Sequence, residues 1–280
     1  MRPGFLFSGT LGDAYIALCK VEAFARDSPC TLRRLSRHGG IDPTVAQLAA
    51  LFENVEYIPD FVAFESIDEM RHYAFAHADR FVNIFWDGDG RGNEPNDPPA
   101  LRFTRYPELD LVGCVLTTRK RHVGIQLHSG CRPANHRRLE VEWIRDFCRI
   151  VADSAVGVVI MGTGEGYEGD ELACLHGMGP HVLSLVGETS FQEWLGILAN
   201  VDYLITPEGF ACFFALSQRT PSLVLFEDTQ ALLRMPPEWR ANATCVRPVQ
   251  VIHKGTMRWI PLPSSQAASL VLARLDPEAA

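Results

Sequence analysis

The sequence predicts an α/β protein built on parallel β-sheets. Short apolar runs of strand length alternate with helix-compatible segments, above all between residues 122 and 226. In this region the predicted strands recur roughly every 20 residues, as βαβ units require. Several runs end in glycines that favour tight turns, as at Gly162, Gly164 and Gly166. Sheets of this kind bind ligands at the carboxyl ends of their strands.

The first half begins with a βαβα series. Residues 4–8 predict a strand, and the following glycine loop ends at Asp13, where a helical pattern begins. The segments CTLRRLS, VEYIP and RFVNIF predict the next strands. Asp42 and Pro43 are typical of a helix start, and Ser66 and Glu69 have the spacing of a capping box at another.

Asp13 has two interpretations. It lies where a strand, a glycine loop and a helix meet, so it can be a helix cap or a first-turn carboxylate. The same position lies at the ligand-facing edge of the predicted sheet, where backbone N–H groups and the helix dipole point towards a ligand. The spacing alone leaves both open.

Two segments interrupt the pattern before the second half. Residues 86–107 are rich in Gly, Pro, Asp and Asn and predict a long connection, functional or mobile, that faces the ligand of the first sheet. Asp87 and Asp89 suit a hard cation, but the residues after them do not complete a calcium loop, so a glycine-rich surface turn is favoured. The basic residues 118–122 predict the linker between two domains.

The second half repeats the order of strand, loop and helix. The predicted strands are HVGIQLHSG, which ends at Ser129 and Gly130, VVIM, HVLSLVG, YLITP and, as the last one, SLVLF. Helices are predicted around EWIRDF, after Gly166, and over TSFQEWLGILANVD, GFACFFALSQ and SSQAASLVLARL. The predicted strand ends carry Ser129, Gly162 to Glu165, Gly187 and Thr206 to Gly209.

A basic cluster follows the first of these strands and consists of Arg132, His136, Arg137 and Arg138. Guanidinium groups match phosphate oxygens, and the helix start nearby adds a favourable dipole, so the cluster can clamp an anion. A solvated or salt-bridged loop explains the same residues equally well.

Composition limits the function classes. The 280 residues are 47% hydrophobic and carry a formal charge of −8, which is typical of a globular protein whose main partner is not nucleic acid. No apolar run has membrane-spanning length, and the first residues are unlike a signal peptide, so we expect a cytoplasmic protein. The eight cysteines include no C-x-x-C pair, and we expect buried free thiols.

The chain resembles glycosyltransferase family nine, the heptosyltransferase-like enzymes. The resemblance lies in the order and spacing of LGDAYIALCKVEAF, VGIQLHSG, EWIRDF, VVIMGTGE, LSLVGETSFQEWLGILANVDYLITPEG and TPSLVLF. It implies a GT-B fold, in which two Rossmann-like domains with parallel sheets face each other across a cleft. We therefore expect an acceptor-side domain over 1–118, a nucleotide-sugar domain over 119–265, and a C-terminal helix within 266–280 that packs back on the first domain.

The resemblance also implies roles for single residues. Gly12 and Asp13 match the family's Gly-Asp, whose carboxylate is the catalytic base. The basic loop would meet the diphosphate and Glu165 the ribose. The full set expected to bind the nucleotide sugar is Gly12, Ser129, Gly130, Arg132, His136, Arg137, Arg138, Gly162, Thr163, Gly164, Glu165, Thr206, Glu208, Gly209 and Phe210.

The segment 208–213 departs from the family pattern. The family usually has Asp and then Ser or Thr after the proline, followed by a small residue and, a few places on, a His. This chain has Glu208, Gly209 and Phe210, with Phe213 in the register of the His. One phosphate contact of the family is therefore missing or replaced.

The implied reaction is inverting transfer of a sugar, a heptose or a related one, from a nucleotide-diphosphate sugar to an acceptor hydroxyl. No metal or other cofactor is expected, and the acceptor class stays open among glycans, lipid-linked glycans, proteins and modified bases. The alternatives are a non-catalytic sugar-nucleotide-binding or scaffolding protein and a GT-B sugar-nucleotide epimerase.

Overall fold

The computed structural model describes residues 4–36, 43–84, 119–129, 137–226 and 237–275. These residues form two compact units, the first before residue 85 and the second from residue 119 onwards. The predicted domain boundary near residue 118 and the segment with Asp87 and Asp89 lie outside the described residues, and so does Asp42.

In its described residues the first unit is a parallel sheet with three helices. The strands, in the spatial order β3-β2-β1-β4, are β1 (Gly4–Phe7), β2 (Cys30–Ser36), β3 (Val55–Ala63) and β4 (Phe81–Asn83). The helices are α1 (Leu11–Ala25), α2 (Pro43–Ala49) and α3 (Ile67–Ala76). β1 is buried along its whole length, as expected for a central parallel strand that is covered on both faces.

The predicted capping box of the first unit is confirmed at the start of α3. The Ser66 hydroxyl accepts a hydrogen bond from the Glu69 N–H at 3.2 Å. The Glu69 carboxylate accepts one from the Ser66 N–H at 3.4 Å. Both bonds satisfy donors that the first helical turn would otherwise leave unpaired.

The second unit is built on a parallel sheet of six described strands in the order β12-β11-β10-β5-β8-β9. Besides these six strands, the described part of the unit contains the antiparallel pairs β6–β7 and β13–β14. The strands of the unit are β5 (Arg121–Gln126), β6 (His128–Ser129), β7 (Arg137–Arg138), β8 (Val156–Met161), β9 (Val182–Ser184), β10 (Tyr203–Pro207), β11 (Ser222–Leu225), β12 (Ala243–Val246), β13 (Val249–His253) and β14 (Thr256–Ile260). Its described helices are α4 (Val141–Val151), α5 (Gly169–His176), α6 (Phe191–Asn200), α7 (Phe210–Ser217), α8 (Pro237–Arg240) and α9 (Ser264–Leu275).

The order of the sheet is that of a Rossmann fold. Counted along the chain, its strands lie in the order 3-2-1-4-5-6 when the sheet is followed from β9 to β12. β5 and β10 are the central pair, and from them the chain continues towards opposite edges of the sheet. This pair marks the topological switch point, where sheets of this kind bind their ligands.

Three features of the second unit differ from the prediction. SLVLF does not form the last strand, because β12 pairs with β11 beyond it. β12 is short and largely exposed, so it lacks the apolar run of a buried strand. The antiparallel pair β13 and β14 was not predicted either; its turn is Lys254-Gly255, with φ of 48° and 78°, rather than the commoner Asn-Gly. The bounds of β5 also differ: Arg121, assigned to the linker, begins the strand, which ends at Gln126 rather than at Ser129 and Gly130.

The C-terminal helix α9 contributes its buried side to the second unit. Ala267, Ala268 and Val271 lie in the core that also contains Trp143 and Phe147 of α4. The predicted packing of this helix on the first domain stays a prediction, and it would have to use the opposite side of the helix.

Most of the described cysteines are buried free thiols, as expected. Cys19, Cys30, Cys148 and Cys212 are buried, Cys174 is half-buried and Cys245 is exposed. Burial raises the pKa of the Cys148 thiol to about 12, which keeps it protonated at neutral pH. Cys114 and Cys131 lie outside the described residues.

Candidate functional site

The candidate site is the carboxyl end of β5 and β10, the switch point of the second sheet. The segment after β5 holds Ser129, and the segment after β10 holds Glu208 and Gly209. A Cβ atom added to Gly209 would lie 1.9 Å from Ser129 Oγ, so the hydroxyl lies directly against the backbone at this position. Gly209 is the N-cap of α7. The structure therefore brings two predicted residues together at a helix start, where backbone N–H groups favour anions.

Arg137 lies beside the same helix start. Its Nη1 donates a hydrogen bond to the Glu208 carbonyl at 3.2 Å, and its Nη2 lies 3.5 Å from the Glu208 carboxylate. The guanidinium also lies over the Trp259 ring, 5.8 Å from the ring centroid. Part of the predicted basic cluster is thus placed at the switch point, with a carboxylate as its partner.

Arg138 has a different position. Its side chain is only 7% exposed, and its Nε donates to the Glu165 carbonyl at 3.1 Å. A Cβ atom at Gly166 would lie 2.2 Å from the guanidinium, so the arginine lies directly against this glycine. For Arg138 the geometry favours a structural role, as a buried side chain that binds the backbone of the glycine turn, and its contact with a diphosphate stays a prediction.

The glycine turn after β8 has the left-handed backbone that the sequence indicated. Gly162, Gly164 and Gly166 have φ of 141°, 75° and 78°, which residues with a side chain rarely adopt. The Gly187 N–H donates to the Gly162 carbonyl at 2.8 Å and so links the turn to the segment after β9. The turn presents its backbone at the ligand-facing edge.

His128 is a residue of this edge that the sequence reasoning missed. Its Nε2 lies 2.9 Å from Thr163 Oγ1, and that hydroxyl accepts a hydrogen bond from the Glu165 N–H at 3.3 Å. The Glu165 side chain is exposed. His128 thus connects the end of β5 with the glycine turn. Its position immediately before Ser129, at a predicted strand end, is the sequence feature that could have identified it.

A second group of residues that the sequence did not indicate packs against the glycine turn and binds its backbone. Arg258 of β14 is 2% exposed; its Nη2 donates to the Gly166 carbonyl at 3.1 Å and pairs with Glu171 at 2.9 Å. The guanidinium lies over the ring of Tyr167, 4.5 Å from its centroid, and Tyr167 Oη lies 2.9 Å from the Leu127 carbonyl. Burial raises the pKa of Tyr167, so its hydroxyl stays protonated. No local pattern indicated Arg258, because its partners are about 90 residues earlier.

The side chains of Thr206, Phe210 and Phe213 are buried. Thr206 is fully buried and donates its hydroxyl hydrogen bond to the Pro207 carbonyl at 2.8 Å. The Phe210 ring is buried with its centroid 5.3 to 6.0 Å from those of Phe191, Trp194 and Phe214. Phe213 is buried as well. The predicted ligand contacts of Thr206 and Phe210 stay predictions.

Asp13 belongs to the first unit and lies in the first turn of α1. Its Oδ2 accepts hydrogen bonds from the Thr10 N–H at 2.7 Å and from the Thr10 hydroxyl at 3.2 Å. Gly9 has a φ of 129°, and a Cβ atom there would lie 2.2 Å from Asp13 Oδ2. Arg34 of β2 donates to the Gly9 carbonyl at 3.3 Å. The first-turn interpretation is confirmed, and the partly exposed carboxylate is held at the end of β1.

The remaining predicted residues are of two kinds. Gly12 is buried in α1, whereas Gly130, Arg132 and His136 lie outside the described residues.

Within the described ranges, no three His, Cys, Asp or Glu side chains converge as a metal ion would require. Among the helices of those ranges, none is both long and apolar enough to cross a membrane.

Comparison with known proteins gives a likeness in structure alone. No protein-family model and no curated protein matches the sequence. The ADP-heptose LPS heptosyltransferase II of E. coli shares 14% identity with a TM-score of 0.59, and the match covers 100% of both chains. The E. coli heptosyltransferase WaaC, solved with ADP, shares 13% identity with a TM-score of 0.57 over 98% of this chain and 100% of that one.

A family 9 glycosyl transferase from Veillonella parvula is similar to the same degree. It shares 12% identity with a TM-score of 0.59, and the match covers 96% of this chain and 90% of the other. The predicted α/β fold of the GT-B class, with two Rossmann-like units, is therefore confirmed. The predicted resemblance to family nine is likewise confirmed, at the level of the fold.

Proposed function

We propose that this protein is an inverting glycosyltransferase that moves a sugar, a heptose or a related one, from a nucleotide-diphosphate sugar to an acceptor hydroxyl. The observation that carries the proposal is the group formed by Ser129, Arg137 and the start of α7 at the switch point of a Rossmann-like sheet. A hydroxyl, a guanidinium and the N–H groups of a helix start are donors that suit a diphosphate. The structural relatives support an ADP-linked heptose as the first donor to test, since the names of the two E. coli structures include ADP-heptose or ADP.

The other predicted residues take roles around this group. In this proposal the glycine turn presents its backbone to the nucleoside, and the exposed Glu165 carboxylate can accept hydrogen bonds from the ribose hydroxyls. Asp13 is the proposed general base that removes the proton of the acceptor hydroxyl as it attacks the anomeric carbon. Arg137 and the N–H groups of α7 stabilise the departing diphosphate, so the proposed reaction has no need of a metal ion.

The proposal is tested first by ligand binding. A nucleoside diphosphate should raise the melting temperature, because a ligand that binds only the folded state stabilises it by mass action. Replacing Arg132 and Arg137 together by Ala should remove most of the shift, since charge-assisted hydrogen bonds contribute roughly 1.5 to 3 kcal/mol each. An unchanged shift in this double variant would remove both residues from the site.

A matched control is available on α4. Arg145 and Arg149 are exposed on this helix and pair with Glu142 and Asp146 of the same helix. Replacing both by Ala lowers the positive charge by the same amount away from the switch point. The melting shift with nucleoside diphosphate should then equal that of the unchanged protein.

A second candidate function is a sugar-nucleotide-binding protein without transfer activity. Phe213, which stands in the register of the family's His, is buried, and Glu208 places a carboxylate beside Arg137. A panel of nucleotide sugars, with release of nucleoside diphosphate as the readout, separates the two candidates. A sugar nucleotide that shifts the melting temperature but yields no product with any acceptor or with water would favour the binding protein.

A further inference from the structure

We propose that Glu208 is a specificity-determining residue: its carboxylate opposes the binding of a diphosphate at Arg137 and so sets how strongly the site discriminates ligands by charge. This inference rests on the proposed function, because it assumes that the phosphate groups of the ligand bind at the switch point. The family that the chain resembles has Asp at this position, so the chain keeps a carboxylate there but carries it on a longer side chain.

The geometry of the pair is the first step. Arg137 Nη2 lies 3.5 Å from Glu208 Oε2, and Nη1 is bonded to the carbonyl of the same residue. The side chains are 29% and 13% exposed, so the pair is partly shielded from water and still open to a ligand. Coulomb interactions at such positions are stronger than those between fully exposed charges.

The backbones on both sides of the pair are fixed. Arg137 is paired with Ser129 in the antiparallel strands β6 and β7. The Glu208 N–H donates to the Leu225 carbonyl of β11 at 2.9 Å, and Gly209 follows at once as the N-cap of α7. The carboxylate therefore stays near Arg137 because secondary structure holds both residues there, unlike a chance contact of two flexible surface side chains.

The carboxylate occupies the electrostatic position that a phosphate would take. It lies beside a guanidinium and next to the start of a helix, and both of these stabilise negative charge. A diphosphate that binds there must either displace Glu208 from Arg137 or lie beside a second negative charge. Either event reduces its affinity, and the reduction grows with the negative charge of the ligand.

A direct test replaces the charge and keeps the shape. We compare the unchanged protein with Glu208→Gln by isothermal titration calorimetry, using ADP, AMP and adenosine, with the matching guanine and uracil ligands in parallel. Glu208→Gln should bind the nucleoside diphosphate roughly 3- to 30-fold more tightly than the unchanged protein does. Its affinity for the monophosphate should increase by a smaller factor, and its affinity for the nucleoside should not change. The gain should shrink as the salt concentration rises.

Two further variants make the result specific. Glu142→Gln removes the same charge from an exposed ion pair on α4 and should leave the affinity for every ligand unchanged. Adding Arg137→Met to Glu208→Gln should abolish the gain in diphosphate affinity, because the proposed effect acts on that guanidinium.

The inference is overturned if ADP and the other diphosphates bind Glu208→Gln with equal or lower affinity than they bind the unchanged protein. An equal gain for nucleoside, mono- and diphosphate would also overturn it, because the effect would then not depend on ligand charge. If no nucleotide of the panel binds any folded variant, the proposed function fails together with the inference.

Discussion

Asp13 is held more firmly than a surface carboxylate usually is. Its Oδ2 accepts two hydrogen bonds from Thr10, and the absence of a side chain at Gly9 makes room for it. The nearby Gly9 carbonyl is itself bonded to Arg34 of the neighbouring strand. A carboxylate fixed in one orientation at the end of a central strand suits a general base, which must already lie within reach of the proton that it removes.

At the residue scale, the prediction concerns the substitution Asp13→Asn. The amide oxygen can still accept the hydrogen bond from the Thr10 N–H, so the variant should fold and lose at most about 1 kcal/mol of stability. Transfer should fall roughly 10²- to 10⁴-fold, because the amide cannot act as a base. The measurement is the rate of product formation at saturating donor, together with thermal melting and donor binding. Transfer at the unchanged rate would show that Asp13 serves the helix alone.

At the residue scale, sequence reasoning succeeds where the partners are close in the chain. Ser66 and Glu69 could be predicted to cap α3 because they are three residues apart and one helical turn brings them together. Arg137 and Glu208 are 71 residues apart, and their contact depends on the pairing of β5 with β10. Each could be placed at a strand end, but that they form an ion pair could not be predicted.

At the element scale, the hairpin of β13 and β14 acts as a support for α5 and the glycine turn. Lys254 in its turn pairs with Glu168 and Asp170 at 2.7 and 2.9 Å, at the beginning of α5. Arg258 pairs with Glu171, whose carboxylate also accepts the Glu168 N–H at 2.7 Å. One hairpin thus holds both the outer and the buried side of the same helix start.

Arg258→Met should destabilise the protein strongly. The substitution leaves Glu171 buried without its cation, and removal of one partner of a buried ion pair costs roughly 3 to 5 kcal/mol. Unfolding in urea should show this loss, and the added substitution Glu171→Gln should recover part of it. Lys254→Met is the control on the same hairpin, where the exposed ion pairs predict little change. Equal effects of the two single substitutions would contradict the distinction between the buried and the exposed pair.

Elements differed in how well they could be predicted from the sequence. The segment YLITP forms a fully buried strand and the segment SSQAASLVLARL a helix, which begins two residues before the range 266–280 expected from the family resemblance. Both patterns reflect burial, which determines where apolar residues recur. β12 and the hairpin carry mixed, partly exposed side chains, so the pairing of their strands depends on distant neighbours that no local pattern records.

At the scale of the whole molecule, the chain and its proposed ligand carry charges of the same sign. The protein carries a formal charge of −8, whereas its proposed ligand is an anion. The net charge therefore gives no long-range attraction for this ligand, and the proposed binding rests on short-range donors such as Arg137 and the start of α7. The fold class could be predicted because alternating strands and helices have few stable arrangements, but the pairing at the switch point required the structure.

The prediction at this scale is that transfer persists in excess chelator. Arginines and a helix start can balance the charge of the leaving diphosphate, so the reaction should not depend on a divalent cation. The measurement is the transfer rate with and without EDTA, followed by addition of Mn²⁺ or Mg²⁺. Strict dependence on either ion would contradict the proposed role of Arg137 and would make Asp87 and Asp89 candidate ligands.

The distance along the chain between the glycine turn and its support has a consequence for biosynthesis. Gly166 receives its hydrogen bond from Arg258, which the ribosome adds 92 residues later. The nascent second unit can pair β5, β8, β10 and β11 well before that, because domains begin to fold while synthesis continues. At that stage the glycine turn still lacks its hydrogen bond from Arg258, because this residue has not yet been synthesised. A transcript that stops between β11 and β14 would therefore yield a chain with a central sheet but without the Arg258 support of its glycine turn. The proposed donor should then bind only to a chain translated past β14.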